Sequence, residues 1–589
     1  MRHEGHEVKH EAHEGKHTGV RHVAAIGALL SMALTLSACQ PAAPPTLTET
    51  ADLVIVNGRV FASDEAGTTA EAVAVRGNTI LRLGTTAEIS ALRGPETRVV
   101  DARGGSVVPG FNDAHVHFVS GGLALGDVDL AGLTTLRQVQ AAIAAFATAH
   151  QGEGWLKGRG WLYSPFPGGS PTKAQLDEIV PDRPAIMDCY DGHSVWVNSK
   201  ALALAGITKD TRNPPNGEIV KDPRTGEPTG HLKEAATRLM DKVLPQPTET
   251  DMRAAIKAAA THANQFGVTS IQNAGGTIEE MALYEAAKRD GDLTVRTYLA
   301  FSASAATTEA DADRMVETWN RLGDDATVRS GIVKMYADGV IESRTAAMLA
   351  PYENSQSSGA TNLTAADLER VVALLDKRGL QVQIHAIGDR AIRMSLDALE
   401  QASSVNPAPA RGRRHRLEHI EAVADEDIAR FGKLGVIASQ QPMHVALGDM
   451  NQAKPSGPWP DNVGPERYAR AWAWRRIMAG GGRIAFGSDW PVAPLEAGQG
   501  IWLATTRVTL PGGTEQPMQM ADAIRGYTSW PAYASFEDRR KGTLEPGMLA
   551  DIAVLASDVF ARPPRTATDV VVQATVFDGR VVYERKTGR

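Results

Sequence analysis

Residues 107–118 read VVPGFNDAHVHF: a β-branched run, a Pro-Gly, a second apolar stretch, and two histidines one residue apart. Side chains i and i+2 share one face of a strand, so His115 and His117 would leave the strand's end on the same side. Two adjacent imidazoles are poor core material and a good pair of ligands for one metal ion. A lone His-x-His also arises by chance, and two structural histidines satisfy the same pattern. The remaining ligands have to come from elsewhere in the chain.

Working outward, seven further apolar runs read as strands: VTSIQNAG, VRTYLAFSA, GIVKMYADG, LQVQIHAIGD, RHRLEHIE, GVIASQQP and RIAFGSDWPV. Helical stretches fill the gaps, among them MRAAIKAAATHANQFG and TAADLERVVALLDKRG, the latter with Thr364 as N-cap and Gly379 as stop. Strands alternating with helices predict a parallel α/β architecture. Eight strands is the number that closes a TIM (β/α)8 barrel, expected over residues 107–539. A long segment, about 119–260, separates the first two strands and carries Gly/Pro-rich pieces such as GRGWLYSPFPGGSP. It reads as an insertion over the barrel mouth, where loops build substrate pockets. Short strands broken by Asn-Gly, Arg-Gly and Gly-Gly turns flank the barrel on both sides. Neither set makes a sandwich alone, so residues 51–106 and 540–589 are expected to form one small composite β-sandwich. The echo of NGRVF in DGRVVYE supports pairing between the two halves.

The bulk composition narrows the class. A chain of 589 residues with 43% hydrophobic and 22% charged side chains is globular and exceeds one small domain. The net charge of −8 is spread along the chain without a basic block, which argues against a nucleic-acid partner. Cysteine occurs only as Cys39 and Cys189, too few for a disulfide framework or a Cys-based zinc site. The apolar run from Val23 to Leu36 follows Arg21 and is shorter than the roughly 20 residues a bilayer span needs. It fits a signal-peptide core. Leu36-Ser37-Ala38-Cys39 resembles the bacterial lipoprotein cleavage box, so residues 1–39 are expected to be a signal peptide with Cys39 acylated. Residues 40–50, rich in Pro, Ala and Thr, would be a tether. Gln40 is not the Asp that retains lipoproteins in the inner membrane, which places the protein on the periplasmic face of the outer membrane. An ordinary secretory signal is the alternative. His3, His6, His10, His13 and His17 would line one helical face, either as a metal-binding stripe or because the native start lies downstream.

Functional residues of a TIM barrel sit at the C-terminal ends of its strands. There the first strand carries His115 and His117, the fourth Lys334, the fifth His385, the sixth His419 and the eighth Asp489. Four such histidines and an aspartate are hard to obtain by chance. The motifs PGFNDAHVHF, VKMYADGVIESRTA, VQIHAIGDRA, HRLEHIE and FGSDWPV resemble the amidohydrolase superfamily, in particular the amidohydrolase-3 branch that includes N-substituted formamide deformylase. The resemblance covers essentially the whole mature chain and says little about substrate. It implies two divalent metal ions, one held by His115, His117 and Asp489 and the other by His385 and His419. Lys334, carboxylated by CO₂, would be the anionic bridge between them; a salt-bridged lysine beside a single metal is the simpler alternative. Imidazole and carboxylate ligands suit Zn²⁺ and are compatible with Mn²⁺, Fe²⁺ or Co²⁺. The implied reaction is hydrolysis of non-peptide C–N bonds, as in N-acyl or N-formyl amides. Metal-activated hydroxide would be the nucleophile and Asp489 the proton shuttle. His193 in YDGHSVWVNSKAL, Arg344 in GVIESRTA and His444 in QQPMH would meet the small-molecule substrate, with structural roles equally open. Asp338 and Asp389 would orient ligands or cap loops, and Cys189 reads as inert core. Two rivals keep the fold: an ester or lactone hydrolase or deaminase on the same site, and an inactive surface binding protein. The intact ligand positions argue against the second. The sequence sets neither the substrate nor an oligomeric state.

Overall fold

The computed structural model describes residues 50–586, except 153, 216, 448–453, 455–456 and 508–516. The leader read over residues 1–39, Cys39 included, and nearly all of the tether lie outside the described residues. No helix among the described residues is long and apolar enough to cross a membrane.

Eight parallel strands form one sheet in sequence order. They are β1 Phe111–Val116, β2 Val268–Asn273, β3 Arg296–Ser302, β4 Val328–Tyr336, β5 Gln381–Ala386, β6 Arg416–His419, β7 Ile437–Gln440 and β8 Arg483–Phe486. Every residue of β1, β2, β5, β6 and β7 is buried, as expected of parallel strands covered on both faces. The barrel's seam is stitched where the catalytic end should lie. Asp489 N donates to His115 O and His117 N to Trp490 O, both at 2.7 Å, and Val116 bridges Trp490 in parallel. The expected crossover helices are present as Glu249–Gln265, entered through a Thr248/Asp251 capping box, and Ala365–Lys377, capped by the Thr364 hydroxyl. Gly379 follows the latter at φ 74°.

The apolar stretch read as one strand over 106–118 is two. Ser106–Pro109 belongs to a different sheet from β1, and the chain turns at Gly110. A Cβ on Gly110 would sit 2.2 Å from Thr269 Oγ1, so only glycine allows that approach.

Ser106–Pro109 pairs antiparallel with Ile552–Leu555, register Val107↔Val554, and so joins the two ends of the chain. The resulting six-stranded sheet runs Arg580–Glu584, Val572–Phe577, Ile552–Leu555, Ser106–Pro109, Arg59–Phe61, Thr69–Ala70. A four-stranded sheet of Thr79–Gly84, Ala72–Arg76, Ala51–Val56 and Arg93–Asp101 packs on it. Leu53, Ile55, Val73 and Val75 from one sheet meet Val60, Val107, Ile552 and Val576 from the other, the alternating inward faces of a sandwich. The NGRVF and DGRVVYE echo does not mark a pair, because three strands lie between Arg59–Phe61 and Arg580–Glu584. Buried Arg296 on β3 clamps the sandwich to the barrel through Asp551 (2.6 and 3.0 Å) and Asp578 (2.9 Å).

The insertion is more than a loop. It holds a mixed six-stranded sheet: Gly217–Lys221, Pro228–Glu234, Ser194–Val197, Ala185–Cys189, Leu156–Trp161 and Val128–Asp129. It has its own core around Trp161, Met187 and Trp196. It ends before Glu249, where the first barrel crossover helix begins.

Candidate metal centre

His115 is fully buried at the end of β1, and its Nδ1 lies 2.5 Å from Glu418 Oε2. Glu418 on β6 is in turn gripped by Arg416, whose Nε donates to Oε1 at 2.9 Å and Nη2 to Oε2 at 3.2 Å. With Nδ1 committed, Nε2 turns inward, 3.4 Å from Asp489 Oδ1 and 3.2 Å from Lys334 Nζ. His117 Nε2 reaches the same Asp489 oxygen at 3.2 Å. One atom each from His115, His117 and Asp489 therefore falls within 4.8 Å of the others. The close approach depends on Gly487: a Cβ there would stand 2.5 Å from His115 N and 2.8 Å from Asp113 Oδ1. Asp113 Oδ1 accepts from Ser488 N at 2.9 Å and His115 N at 3.1 Å, tying β1 to the segment after β8.

A second group shares Asp489. His419, His444 and Asp489 also converge within 4.8 Å, with His444 Nε2 3.5 Å from Asp489 Oδ2. His385 stands beside this group, its ring centroid 4.5 Å from that of His419. Its Nε2 lies 3.2 Å from Gly339 O and 3.6 Å from Asp338 Oδ1. His444, which the sequence places at the substrate, thus stands among the ligand atoms, and His385 lies just outside them. Backbone strain gathers here: His419, Ile420 and Asp489 have φ of 72°, 53° and 63°, a left-handed conformation that costs non-glycine residues about 1–3 kcal/mol each.

The electrostatics favour cation binding. Burial, reinforced by the Lys334 ammonium, holds His115 well below its usual range; burial and the neighbouring imidazoles do the same to His419, and His385 is drawn down to about 3. Neutral imidazole is the ligating form. Burial pushes Asp489 up, but His115, His117 and His444 outweigh it and hold the carboxyl well below the usual range. Lys334 is fully buried on β4 and drawn down to about 8, mainly by burial. Among the described residues, His419 Nδ1, His444 Nε2 and Asp489 Oδ1 are buried with no hydrogen-bond partner. Such an atom costs about 1–3 kcal/mol, and three converging ones are what a divalent ion would satisfy. The donors present fit that ion.

These side chains line a cavity of about 200 Å³ to which the insertion contributes Asp191 and His193. Glu342 and Glu421 also line it, and neither was singled out from sequence. Glu421 accepts from His444 Nδ1 at 3.1 Å and Trp459 Nε1 at 2.6 Å. Burial, with Glu421 and Asp191 nearby, pushes the Glu342 carboxyl well up. Arg344 is exposed and does not line the cavity; its Nε donates to Asn462 Oδ1 at 2.7 Å. Asp338 accepts from the backbone N–H of Ile387, Gly388 and Ala347, and Asp389 from that of Leu349. Cys189 is buried, donating to Trp161 O at 3.4 Å.

The sequence profile of the Amidohydrolase family matches residues 98–583. Protein LONG AFTER FAR-RED 3 of Arabidopsis thaliana is 31% identical over 562 residues, covering 90% of this chain and 92% of that protein. N-substituted formamide deformylase of Arthrobacter pascens is 27% identical over 557 residues, covering 92% and 99%. Among solved structures, an uncharacterized metal-dependent hydrolase from Pyrococcus horikoshii OT3 superposes with a TM-score of 0.67 at 23% identity. That match covers 86% of this chain and 98% of the other, and shows a shared fold.

Proposed function

Because the chain belongs to the amidohydrolase family, we propose that this metal-dependent hydrolase cleaves the C–N bond of small non-peptide amides, N-acyl or N-formyl amines. The observation that carries the reading is the sharing of Asp489, whose Oδ1 faces His115 and His117 while Oδ2 faces His444. Two divalent ions, zinc by the chemistry of the donors, would supply an acidified water and a polarised substrate carbonyl. His115, His117 and Asp489 would hold the first, and His419 with His385 or His444 the second. Lys334, 3.2 Å from His115 Nε2, would supply an anionic ligand if carboxylated. Asp489 takes the proton from the attacking water and returns it to the departing nitrogen, the general base then acting as general acid. A cavity of about 200 Å³ suits a small molecule. The name of the Arthrobacter relative makes N-formyl amines the first substrates to try. The lipobox-like Leu36-Ser37-Ala38-Cys39 supports an exported enzyme anchored to the membrane by lipid.

The test is metal analysis combined with a substrate panel. Protein purified without chelator should carry close to two equivalents of divalent metal and turn over N-formyl or N-acyl amines faster than matched esters and lactones. Turnover confined to esters or lactones would refute the C–N assignment. Full activity in metal-free protein would refute the site.

A further inference from the structure

The insertion brings one more histidine to the cavity, and the way it is held was not legible in sequence. His193 follows Gly192, which has φ 73°, and precedes strand Ser194–Val197. That strand pairs antiparallel with Pro228–Glu234, register Ser194↔Lys233. The ladder ends with Glu234 N donating to His193 O at 2.8 Å. The two side chains meet as well, His193 Nδ1 lying 2.9 Å from Glu234 Oε2. Glu234 sits at φ 52°, a conformation a glutamate adopts only when its surroundings impose it. The side chain of His193 is 26% exposed and lines the same cavity as Lys334, His385 and Asp489. Its backbone N–H is fixed by Asp191 Oδ1 at 2.9 Å, and Tyr163 OH donates to the other oxygen of Asp191 at 2.8 Å. Among the described residues, His193 Nε2 is left without a hydrogen-bond partner.

We propose that Glu234 is a positioning residue that keeps His193 an imidazolium, with Nδ1–H bonded to the carboxylate and Nε2–H aimed into the cavity as hydrogen-bond donor to the substrate's carbonyl oxygen. No bond is made or broken by His193: it faces the negative charge that grows on that oxygen as the carbonyl carbon is attacked, the kind of preorganised donor that acts most strongly in the transition state. The charges around it suit that role. Burial works against protonation of His193, but Glu234, then Asp191 in its own loop and Asp338 after β4, outweigh it and hold the imidazole above its usual range; His385 at the end of β5 is drawn down instead. Burial likewise opposes ionisation of Glu234, and the bond from His193 overcomes it. The pairing stands on geometry alone, whereas the donor role rests on the amide-hydrolase reading.

The metal-loaded full-length enzyme tests both parts. Diethyl pyrocarbonate acylates only neutral, accessible imidazole, so the pH midpoint of His193 modification, read by peptide mass spectrometry, reports its protonation. The midpoint should fall by about one unit or more from wild type to Glu234→Gln, while Glu234→Asp, which keeps the charge, should lie between. The alkaline limb of kcat/KM for an N-formyl amine should shift down with it, and His193→Gln should lose about 10²–10³-fold in kcat, the range for one oxyanion donor. An unmoved midpoint in both Glu234 variants overturns the pairing whatever the activity. An active wild type whose His193→Gln variant keeps kcat within about threefold overturns the donor role and leaves amide hydrolysis standing. A wild type that turns over no amide, with the midpoint shift intact, overturns amide hydrolysis and the donor role together and leaves the pairing in place.

Discussion

Replacing Glu418 by glutamine should weaken metal binding without touching a ligand. The carboxylate is fully buried between two sets of donors, His115 Nδ1 at 2.5 Å on one side and Arg416 at 2.9 and 3.2 Å on the other. The amide keeps the shape but has one acceptor oxygen, so whichever neighbour faces the NH₂ group meets a donor. If His115 loses its acceptor, the ring turns freely about χ2 and Nε2 is no longer aimed at Asp489. Loss of a partner of this kind to a metal-ligating histidine costs roughly 10–100-fold in affinity, about 1.4–2.7 kcal/mol. Arg416 meanwhile loses its buried counter-ion, for which removal of one partner costs about 3–5 kcal/mol. It keeps Gln272, Ala114 O and Ser439 as acceptors, so the lower end, about 3 kcal/mol, is expected. Zinc competition against a fluorescent chelator measures the first number, and urea unfolding of metal-free protein the second. Glu418→Asp is the companion variant: it keeps the charge but is one methylene too short to reach both neighbours, so it should spare Arg416 more than it spares affinity. A Glu418→Gln enzyme that folds and binds zinc within about twofold of wild type would refute the orienting role.

Two further outcomes follow from buried groups. Lys334→Ala should lose the bridge and nearly all activity, and a short carboxylic acid added to the assay should restore part of it; a variant still fully active without rescue would rule the bridge out. His231 in the insertion is almost fully buried and held down to about 3 by burial, so below pH 6.5 the unfolded chain takes up a proton that the folded chain refuses. Its contribution to stability is complete above pH 6.5 and declines as pH falls towards 3, with about 2 kcal/mol lost by pH 5. Urea unfolding at pH 7 and pH 5 should show that loss reduced in His231→Gln, and an unchanged difference would contradict it.

The barrel was legible because eight short runs rich in β-branched residues alternate with helical stretches, and five of them end in His, Lys or Asp where the strand meets its loop. The candidate positions came from that ending rule, and their reading as ligands from the family resemblance. What stayed hidden depends on backbone conformations that no run of residue types announces. HRLEHIE displays Glu418, His419 and Glu421 in plain view. Period-two alternation would nevertheless send Glu418 and His419 to opposite faces. The left-handed φ at His419 and Ile420 breaks that alternation. Glu418 thus stays in the barrel interior under His115, while His419 and Glu421 both reach the cavity. Arg344 likewise has φ 62°, and its Nε donates to Asn462 Oδ1, the structural role left open beside the substrate one. The insertion's sheet was missed because its strands are short and interrupted by glycines, as in Leu156–Trp161, where Gly158 and Gly160 leave no room for side chains beside Val128, Met187 and Ala131. Of its contribution to the cavity, His193 was singled out in YDGHSVWVNSKAL, whereas Asp191 arrives by tertiary approach with no local signature.

The seam of the barrel and the candidate metal centre are one piece of construction. β1 and β8 are joined at their C-terminal ends by the bonds of Asp489 N to His115 O and His117 N to Trp490 O, by Asp113 accepting from Ser488, and by the approach that Gly487 permits. The same few residues carry three of the ligand atoms and the φ of 63° at Asp489. A strained aspartate in a left-handed conformation is held there because releasing it would open the seam. Closing the seam in turn brings His115, His117 and Asp489 together and leaves Asp489 Oδ1 buried without a hydrogen-bond partner among the described residues. Each side of the arrangement leaves a deficit that a bound cation relieves. Asp489, to which the proposed chemistry is assigned, is thus also the residue that closes the seam.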